Sequence, residues 1–497
     1  MDVHLHPLRP LRRLLALVIC AGLAGALSVA LVVPADAAVD KKLQTKLTSV
    51  LNDSRSRTES AVAVLDAGSG EVLYNRGGGR ALMPASNTKI LTAVAALHVL
   101  KPGYRFSTEV IRRGRVTSGV LNGQLYLKGY GDPTARQSDY AALARQVKAA
   151  GISRVTGRIV ADGTFFDAKR YNPGWSTSYA SDYYAAQIAA LTVAPNADYD
   201  TGTVIIRYQA AGKGRKAKIT TTPAAAATYV TIVNKTTTGS SGSSTTFSAR
   251  RTAGKNTITV KGRVRGGASG STLVTVDKPE LYAAAVFRAE LAKLKITVAG
   301  SSKIGATPTT KRTRLARDTS MPLSKLLVPF LKLSNNMHAE TLTKTMGTLK
   351  GRPGSWADGL AYTTGYLKQL QVPMAGVSLT DGSGLTRRNH VTPLAMATTL
   401  QKVRKESWWP AFDAALPVAG NNTHLTGGTL RHRMNGTRAA NNAHAKTGTL
   451  TGVTALSGYV TGRDGRKYAF SMISNYAGAS PRPVENTLVV TLAGWRR

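Results

Sequence analysis

The hydrophobic pattern of this chain changes period several times along its length, and each change marks an element. Ile90, Leu91, Val94, Leu97 and Leu100 recur at helical spacing directly after Met83-Pro84-Ala85-Ser86-Asn87-Thr88-Lys89. That spacing predicts an amphipathic helix, with Ser86 at its N-cap or in its first turn and Pro84 blocking extension backwards. Upstream, residues 61–66 and 71–75 alternate as the strands of a hairpin turned by Ala67-Gly68-Ser69-Gly70. Downstream, residues 126–134 form a strand entering a tight turn, 139–150 a helix, and 155–161 a strand ending at Asp162-Gly163. Between about 166 and 276 the pattern breaks into short β-like runs, such as 202–208 and 257–260, separated by Thr/Ser/Gly/Lys-rich segments. Residues 235–248 read as an exposed, mobile low-complexity loop.

Helical spacing returns at 277–295, followed by a strand at 296–298. The apolar run 323–333 is helix-like, with Pro329 expected to kink or divide it, and 337–345 continues as helix. Residues 446–450 read as a strand, 456–460 and 468–473 as a hairpin across Arg463-Asp464-Gly465, and 481–495 as a C-terminal helix. Two strands at the front, three at the back and a terminal helix suit an antiparallel sheet with helices on its faces, an α/β (α+β) architecture. Residues 38–103 and 317–497 together make roughly 250 residues, the size of one large domain. Residues 104–167 and 277–316 then form an inserted α/β domain, and 168–276 a β-rich domain nested within it. On this division Lys89 and Lys446 share a domain despite their separation in sequence.

The N-terminus is set aside from the fold. Arg9, Arg12 and Arg13 precede an uncharged apolar stretch from 14 to 33, and Ala35-Asp36-Ala37 is a small-x-small cleavage site. Residues 1–37 therefore read as a signal peptide, and the mature chain as exported, extracellular or wall-associated, with no integral membrane domain. An uncleaved anchor is the alternative, since about 20 apolar residues can span a bilayer. Cys20 lies mid-stretch behind the bulky Ile19, which argues against lipidation. As the only cysteine, it leaves the mature chain without disulfide, thiol nucleophile or Cys-ligated metal. The scattered histidines show no metal-ligand spacing, and Gly77-Gly78-Gly79 lacks the spacing of a phosphate loop. No metal and no cofactor are expected.

The formal charge is +40, and about +39 without residues 1–37. Such a charge attracts polyanions. Without a nucleic-acid-binding motif, and in an exported chain, anionic cell-wall polymers or lipid headgroups are the fitting partners rather than nucleic acid. A solvated basic surface is the plain alternative.

The chemistry centres on Ser86 and Lys89. Residues i and i+3 share a helix face, so the lysine can reach the hydroxyl. A neighbouring neutral amine activates a serine that is otherwise a poor nucleophile. Taken alone, such a pair is more often a cap followed by a surface lysine. Ser334-Asn335-Asn336 and Lys446-Thr447-Gly448, extended by Thr449, follow in order. Alone, these would be a helix cap and an edge strand with a protective lysine, but neither explains all three together.

The triplet S-x-x-K, S-x-N and K-T-G resembles the signature of penicillin-binding proteins and serine β-lactamases. With residues 129–134 and 381–389 and the long insertion after the first motif, the chain resembles the class C penicillin-binding proteins, D-alanyl-D-alanine carboxypeptidase/endopeptidases. The resemblance implies a transpeptidase-like domain with two nested insertions. It implies that Ser86 attacks the carbonyl between two D-alanines of a peptidoglycan stem peptide and that neutral Lys89 takes its proton, its pKa depressed by burial beside the cation Lys446. Ser334 would relay a proton to the leaving amine, and Asn336 would orient Lys89 and substrate. Lys446, Thr447, Gly448 and Thr449 would line the carboxylate site, with the Ser86 and Thr449 amides as oxyanion hole. β-Lactam antibiotics would acylate Ser86. Asp182, Arg387 and Arg388 are candidate contacts to charged stem peptides. A serine β-lactamase is the runner-up, but no E-x-x-x-N follows Ser334 to hold a deacylating water. A non-catalytic penicillin- or wall-binding protein is the third reading.

Overall fold

The computed structural model describes residues 40–57 and 59–496. The signal-peptide reading of residues 1–37 lies outside them. The front and back of the chain meet in one sheet, because Ser60–Asp66 sends alternate side chains to opposite faces. Val62 and Val64 join Leu43, Leu47, Leu488 and Leu492 from the helices Lys41–Leu51 and Arg482–Gly494. Ala63 and Leu65 instead meet Ala397 of the helix Pro393–Val403. The sheet is antiparallel and five-stranded, in the order His444–Leu450, Val453–Thr461, Lys467–Asn475, Ser60–Asp66, Val72–Arg76. It is the sheet expected from two strands at the front and three at the back.

The expected amphipathic helix is Thr88–Leu100, and here the structure corrects the sequence reading. It is not amphipathic: Lys89, Thr92 and Ala96 are buried as fully as Leu91, Val94 and Leu97. Helices Leu323–Lys332, Asn336–Gly347 and Trp356–Gln369 surround it, supplying Leu326, Phe330, Leu342 and Leu367 to a common core. Each large aliphatic side chain buried there contributes about 1.5–3 kcal/mol. The site-bearing helix is thus a rigid central rod rather than a surface element. Leu323–Lys332 runs undivided through Pro329.

Residues 107–319 build further sheets. Ser107–Thr117 and Val120–Gly129 form an antiparallel hairpin inside a seven-stranded mixed sheet, flanked by Thr313–Thr319 and by the parallel strand Ile159–Asp162. Helices Gln137–Ala149 and Pro279–Lys293 contribute Leu143 and Phe287 to its core. Two three-stranded sheets follow: Ser269–Thr275, Thr203–Gln209, Lys218–Thr222, and Ser248–Arg251, Thr257–Val264, Thr231–Thr238. Val204, Ile206, Ile258 and Val260 share one core with Leu125 of the larger sheet and Leu143 of the helix Gln137–Ala149. Residues 235–238, expected in a loop, lie in the strand Thr231–Thr238, paired in parallel with 261–264. Their Lys/Thr sequence is that of a strand with one wet face.

Candidate active site

Three backbone devices bring the three motifs together. Ala85 takes a left-handed conformation (φ +47°), and Ser86 sits in the short 3-10 turn Ala85–Asn87 rather than serving as an N-cap. Ser334 is also left-handed (φ +61°), in the link between two helices. Such conformations are costly for non-glycine residues and persist where the surroundings enforce them. Asn335 caps the second helix, accepting from the Met337 amide at 2.9 Å, which leaves the Asn336 side chain available for other partners. The strand His444–Leu450 passes so close to the Ser86 turn that a Cβ on Gly448 would lie 2.6 Å from the Pro84 carbonyl oxygen. Glycine in the K-T-G motif therefore has a packing reason.

The side chains converge. Lys89 Nζ donates to Ser86 Oγ (2.8 Å), Asn336 Oδ1 (2.6 Å) and the Ser383 carbonyl (2.7 Å). Lys446 Nζ donates to Ser334 Oγ (2.8 Å) and to its neighbour Thr447's carbonyl (2.8 Å). Asn336 Nδ2 donates to the Tyr184 carbonyl at 2.7 Å, which directs its oxygen at Lys89. Ser86, Ser334, Asn336 and Thr449 line a cleft of about 420 Å³ together with Tyr179, Tyr183, Tyr184, Leu385 and Leu450. Both lysines are fully buried beneath it.

Burial governs their charge. Loss of water lowers Lys89 to about 7, while Asp381 and Glu340 pull it back up. Lys446 is also lowered, well below its ordinary value, by burial first and by repulsion from Lys89 second. Of the two expected causes, burial is the one that depresses Lys89, while the repulsion between the lysines lowers Lys446. Near neutral pH the amine beside Ser86 can accept a proton.

A support shell lies behind Lys89 that the sequence reading did not identify. Glu340 stands one helical turn after Asn336 and is fully buried. It accepts from the Gly382 and Ser383 amides (3.0 and 2.8 Å) and from Trp356 Nε1 (2.7 Å). This clamp aims the Ser383 carbonyl at Lys89. Burial, then Asp381, push the Glu340 carboxyl up to about 7, against the three donors. Asp381 is also fully buried and accepts from Trp175 Nε1 (2.9 Å), the Gly384 and Thr386 amides (2.7 and 2.8 Å) and Asn389 Nδ2 (2.8 Å). Gly384 is left-handed (φ +78°), and a Cβ there would meet the Ala85 oxygen at 1.8 Å. The available signal was the i, i+4 spacing of Asn336 and Glu340 on one helix face.

The remaining candidates are placed unequally. Thr447 Oγ1 bonds Thr429 Oγ1 at 2.8 Å, and exposed Thr449 accepts from Arg482 at 3.3 Å. Asp182 accepts from the Tyr184 hydroxyl at 2.9 Å and pairs with Arg250 at 3.9 Å, next to the cleft-lining tyrosines. Arg387 is exposed and donates to the Thr451 carbonyl (2.6 Å), another cleft-lining residue. Arg388 is exposed, and no side-chain contact ties it to the cleft. Among the described residues no cluster of His, Cys, Asp and Glu could hold a metal ion, and no helix is long and apolar enough to cross a membrane.

Comparison with known proteins agrees with this geometry. A D-alanyl-D-alanine carboxypeptidase of Actinomadura sp. (strain R39) is 39% identical over 463 residues, covering 91% of this chain and 84% of that protein. The carboxypeptidase DacB of Haemophilus influenzae is 25% identical, covering 82% of this chain and 83% of its own. The crystal structure of penicillin binding protein 4 (dacB) from Haemophilus influenzae superposes with a TM-score of 0.76 at 25% identity, over 91% of this chain and 99% of that one. The model of the D-Ala-D-Ala carboxypeptidase 3 (S13) family matches residues 43–494, and the chain belongs to that family.

Proposed function

We propose that the protein is a serine-type D-Ala-D-Ala carboxypeptidase/endopeptidase that acts on peptidoglycan stem peptides through an acyl-enzyme on Ser86. The observation that carries this is the pair of lysines on two hydroxyls, Lys89 Nζ 2.8 Å from Ser86 Oγ and Lys446 Nζ 2.8 Å from Ser334 Oγ. Ser86 Oγ attacks the carbonyl carbon of the penultimate D-alanine, and its proton passes to neutral Lys89 Nζ. The amides of Ser86 and Thr449 hold the oxyanion. Collapse breaks the peptide bond. The leaving amine takes a proton relayed through Ser334 Oγ, the hydroxyl that Lys446 Nζ holds at 2.8 Å. Asn336 fixes Lys89 and the substrate amide, while Lys446, Thr447, Gly448 and Thr449 receive the substrate carboxylate. Water then hydrolyses the ester and frees Ser86. Asp182, Arg387 and Arg388 serve charged groups further along the stem peptide.

A β-lactam presents a strained amide to the same hydroxyl and leaves a slowly released ester. The chain is exported, with residues 1–37 as its signal peptide, and works at the cell wall. The catalytic part spans 38–103 and 317–497, with 104–167, 277–316 and the nested 168–276 inserted. Purified protein should release D-alanine from D-Ala-D-Ala peptides and retain labelled penicillin covalently. Rapid penicillin turnover without peptide cleavage would mark a β-lactamase instead, and an adduct without turnover of either would mark a binding protein.

A further inference from the structure

Residues 201–276 carry 12 of the chain's lysines and arginines and no aspartate or glutamate. All but Arg251 are exposed. Among the described residues, the one ion pair from this stretch joins Arg250 to Asp182 at 3.9 Å. The arrangement on the sheet makes the excess local. In Thr257–Val264, Ile258, Val260 and Val264 point inward, so Thr259, Lys261 and Arg263 point out. Lys235 pairs with Lys261, and Arg250 with Thr259, which places Lys235, Arg250, Lys261 and Arg263 on one outward face among Thr and Ser side chains. Like charges side by side on a sheet are destabilising. The loop bearing Lys213, Arg215 and Lys216 is tied to the end of the same sheet, the Gly214 amide donating to Thr238 and the Thr238 amide to Arg215 (2.8 and 2.7 Å).

We infer that this face binds a linear phosphodiester polymer of the cell wall and holds the enzyme against it. A run of cations whose one carboxylate partner is Asp182 calls for counter-charge from outside the chain. The stretch exposes no large hydrophobic side chain that could enter a lipid surface. Its rings Tyr208 and Phe247 pack against each other, tilted by 30° with centroids 4.3 Å apart, instead of offering a platform for bases. The face also adjoins the cleft. The Arg251 amide donates to Ser181 Oγ at 2.8 Å, its guanidinium donates to the Ala180 carbonyl at 2.8 Å, and Tyr179, Tyr183 and Tyr184 line the cleft beside Ser86. A polymer lying on the sheet would therefore run past the mouth of the site. The wall as its source rests on the exported reading above; binding of the polymer does not depend on peptidase activity.

The test uses purified protein with poly(glycerol phosphate), with vesicles of phosphatidylglycerol and phosphatidylcholine, and with a soluble D-Ala-D-Ala peptide. Two triple variants change the net charge equally: Lys235→Glu/Lys261→Glu/Arg263→Glu, and Lys41→Glu/Lys42→Glu/Lys46→Glu on the N-terminal helix. Wild type binds the polymer with an affinity that falls as salt rises, by roughly 0.7 in the log–log slope per phosphate neutralised. The sheet variant loses about tenfold or more in affinity and its slope is shallower by about 2, on the same relation. The helix variant keeps wild-type affinity within about twofold, and soluble-peptide turnover is unchanged in both, which also shows that the sheet variant folds. Equal losses in both variants, absence of polymer binding, or binding to vesicles alone would overturn the proposal. Loss of peptide turnover in wild type with polymer binding intact would count against the catalytic reading instead.

Discussion

Glu340→Gln tests whether the buried carboxylates behind the site set the proton affinity of Lys89. Glu340 reaches Lys89 through one peptide unit, accepting from the Ser383 amide while Lys89 donates to the Ser383 carbonyl. Its charge raises the Lys89 pKa against the desolvation that lowers it to about 7. Opposite charges about 6 Å apart in an effective dielectric near 20 interact by about 3 kcal/mol. Since Glu340 is itself only partly ionised near pH 7, removing its charge should lower the Lys89 pKa by about one unit. The sign follows from the chemistry: a weaker base is neutral at lower pH, so the acid limb of acylation moves down by about that amount. The variant also leaves three buried donors with one acceptor, at a cost of about 1–3 kcal/mol in stability. The assay is the second-order rate of labelling by a fluorescent penicillin from pH 5 to 9, with urea unfolding alongside. A lowered rate whose acid limb stays at the wild-type pH would reduce Glu340 to a structural clamp, and a limb moved upward would refute the electrostatic reasoning.

Other perturbations follow from the same geometry. Gly384→Ala should lose roughly 2–5 kcal/mol in urea unfolding and most of its penicillin labelling, because the new Cβ meets Ala85 at 1.8 Å in a left-handed residue. Lys89 is a base whose folded pKa, about 7, lies below its unfolded 10.5. The unfolded chain thus binds more protons between those values, and stability rises with pH from about 7 to 10.5. Lys89→Met should flatten that rise in chemical denaturation, whereas an unchanged slope would contradict it. Leu326→Ala, in the core beside the central helix, should cost about 2–5 kcal/mol. It should leave the pH profile of acylation in place.

Much of the site was legible because its chemistry is written in short spacings. Ser86 and Lys89 are three residues apart on one turn, and Asn336 and Lys446 come in motifs with their own local backbone geometry. The five-stranded sheet was legible from its hairpins. What escaped depends on distant partners. Glu340 looks like an ordinary surface carboxylate until Trp356 is folded over it, and the part Asp381 plays within the 381–389 motif shows only once Trp175 donates to it. Thr88–Leu100 shows an apolar stripe, yet its small residues are buried too, because the three helices around it and the core they share cover its other faces. The strand through Lys235 was hidden by its outward Lys and Thr residues and by a partner beyond residue 256 in the chain. Lys89 was expected to be lowered by burial beside the cation Lys446; burial does lower it, but the repulsion falls on Lys446, a division no spacing reveals.

The most direct measurement of the central claim is the intact mass of wild-type and Ser86→Ala protein after exposure to benzylpenicillin, followed by peptide mapping. One covalent adduct in wild type, mapped to the peptide holding Ser86 and missing from the variant, is the predicted result. An adduct on another residue, or an unmodified wild-type protein with the drug unconsumed, would contradict the account.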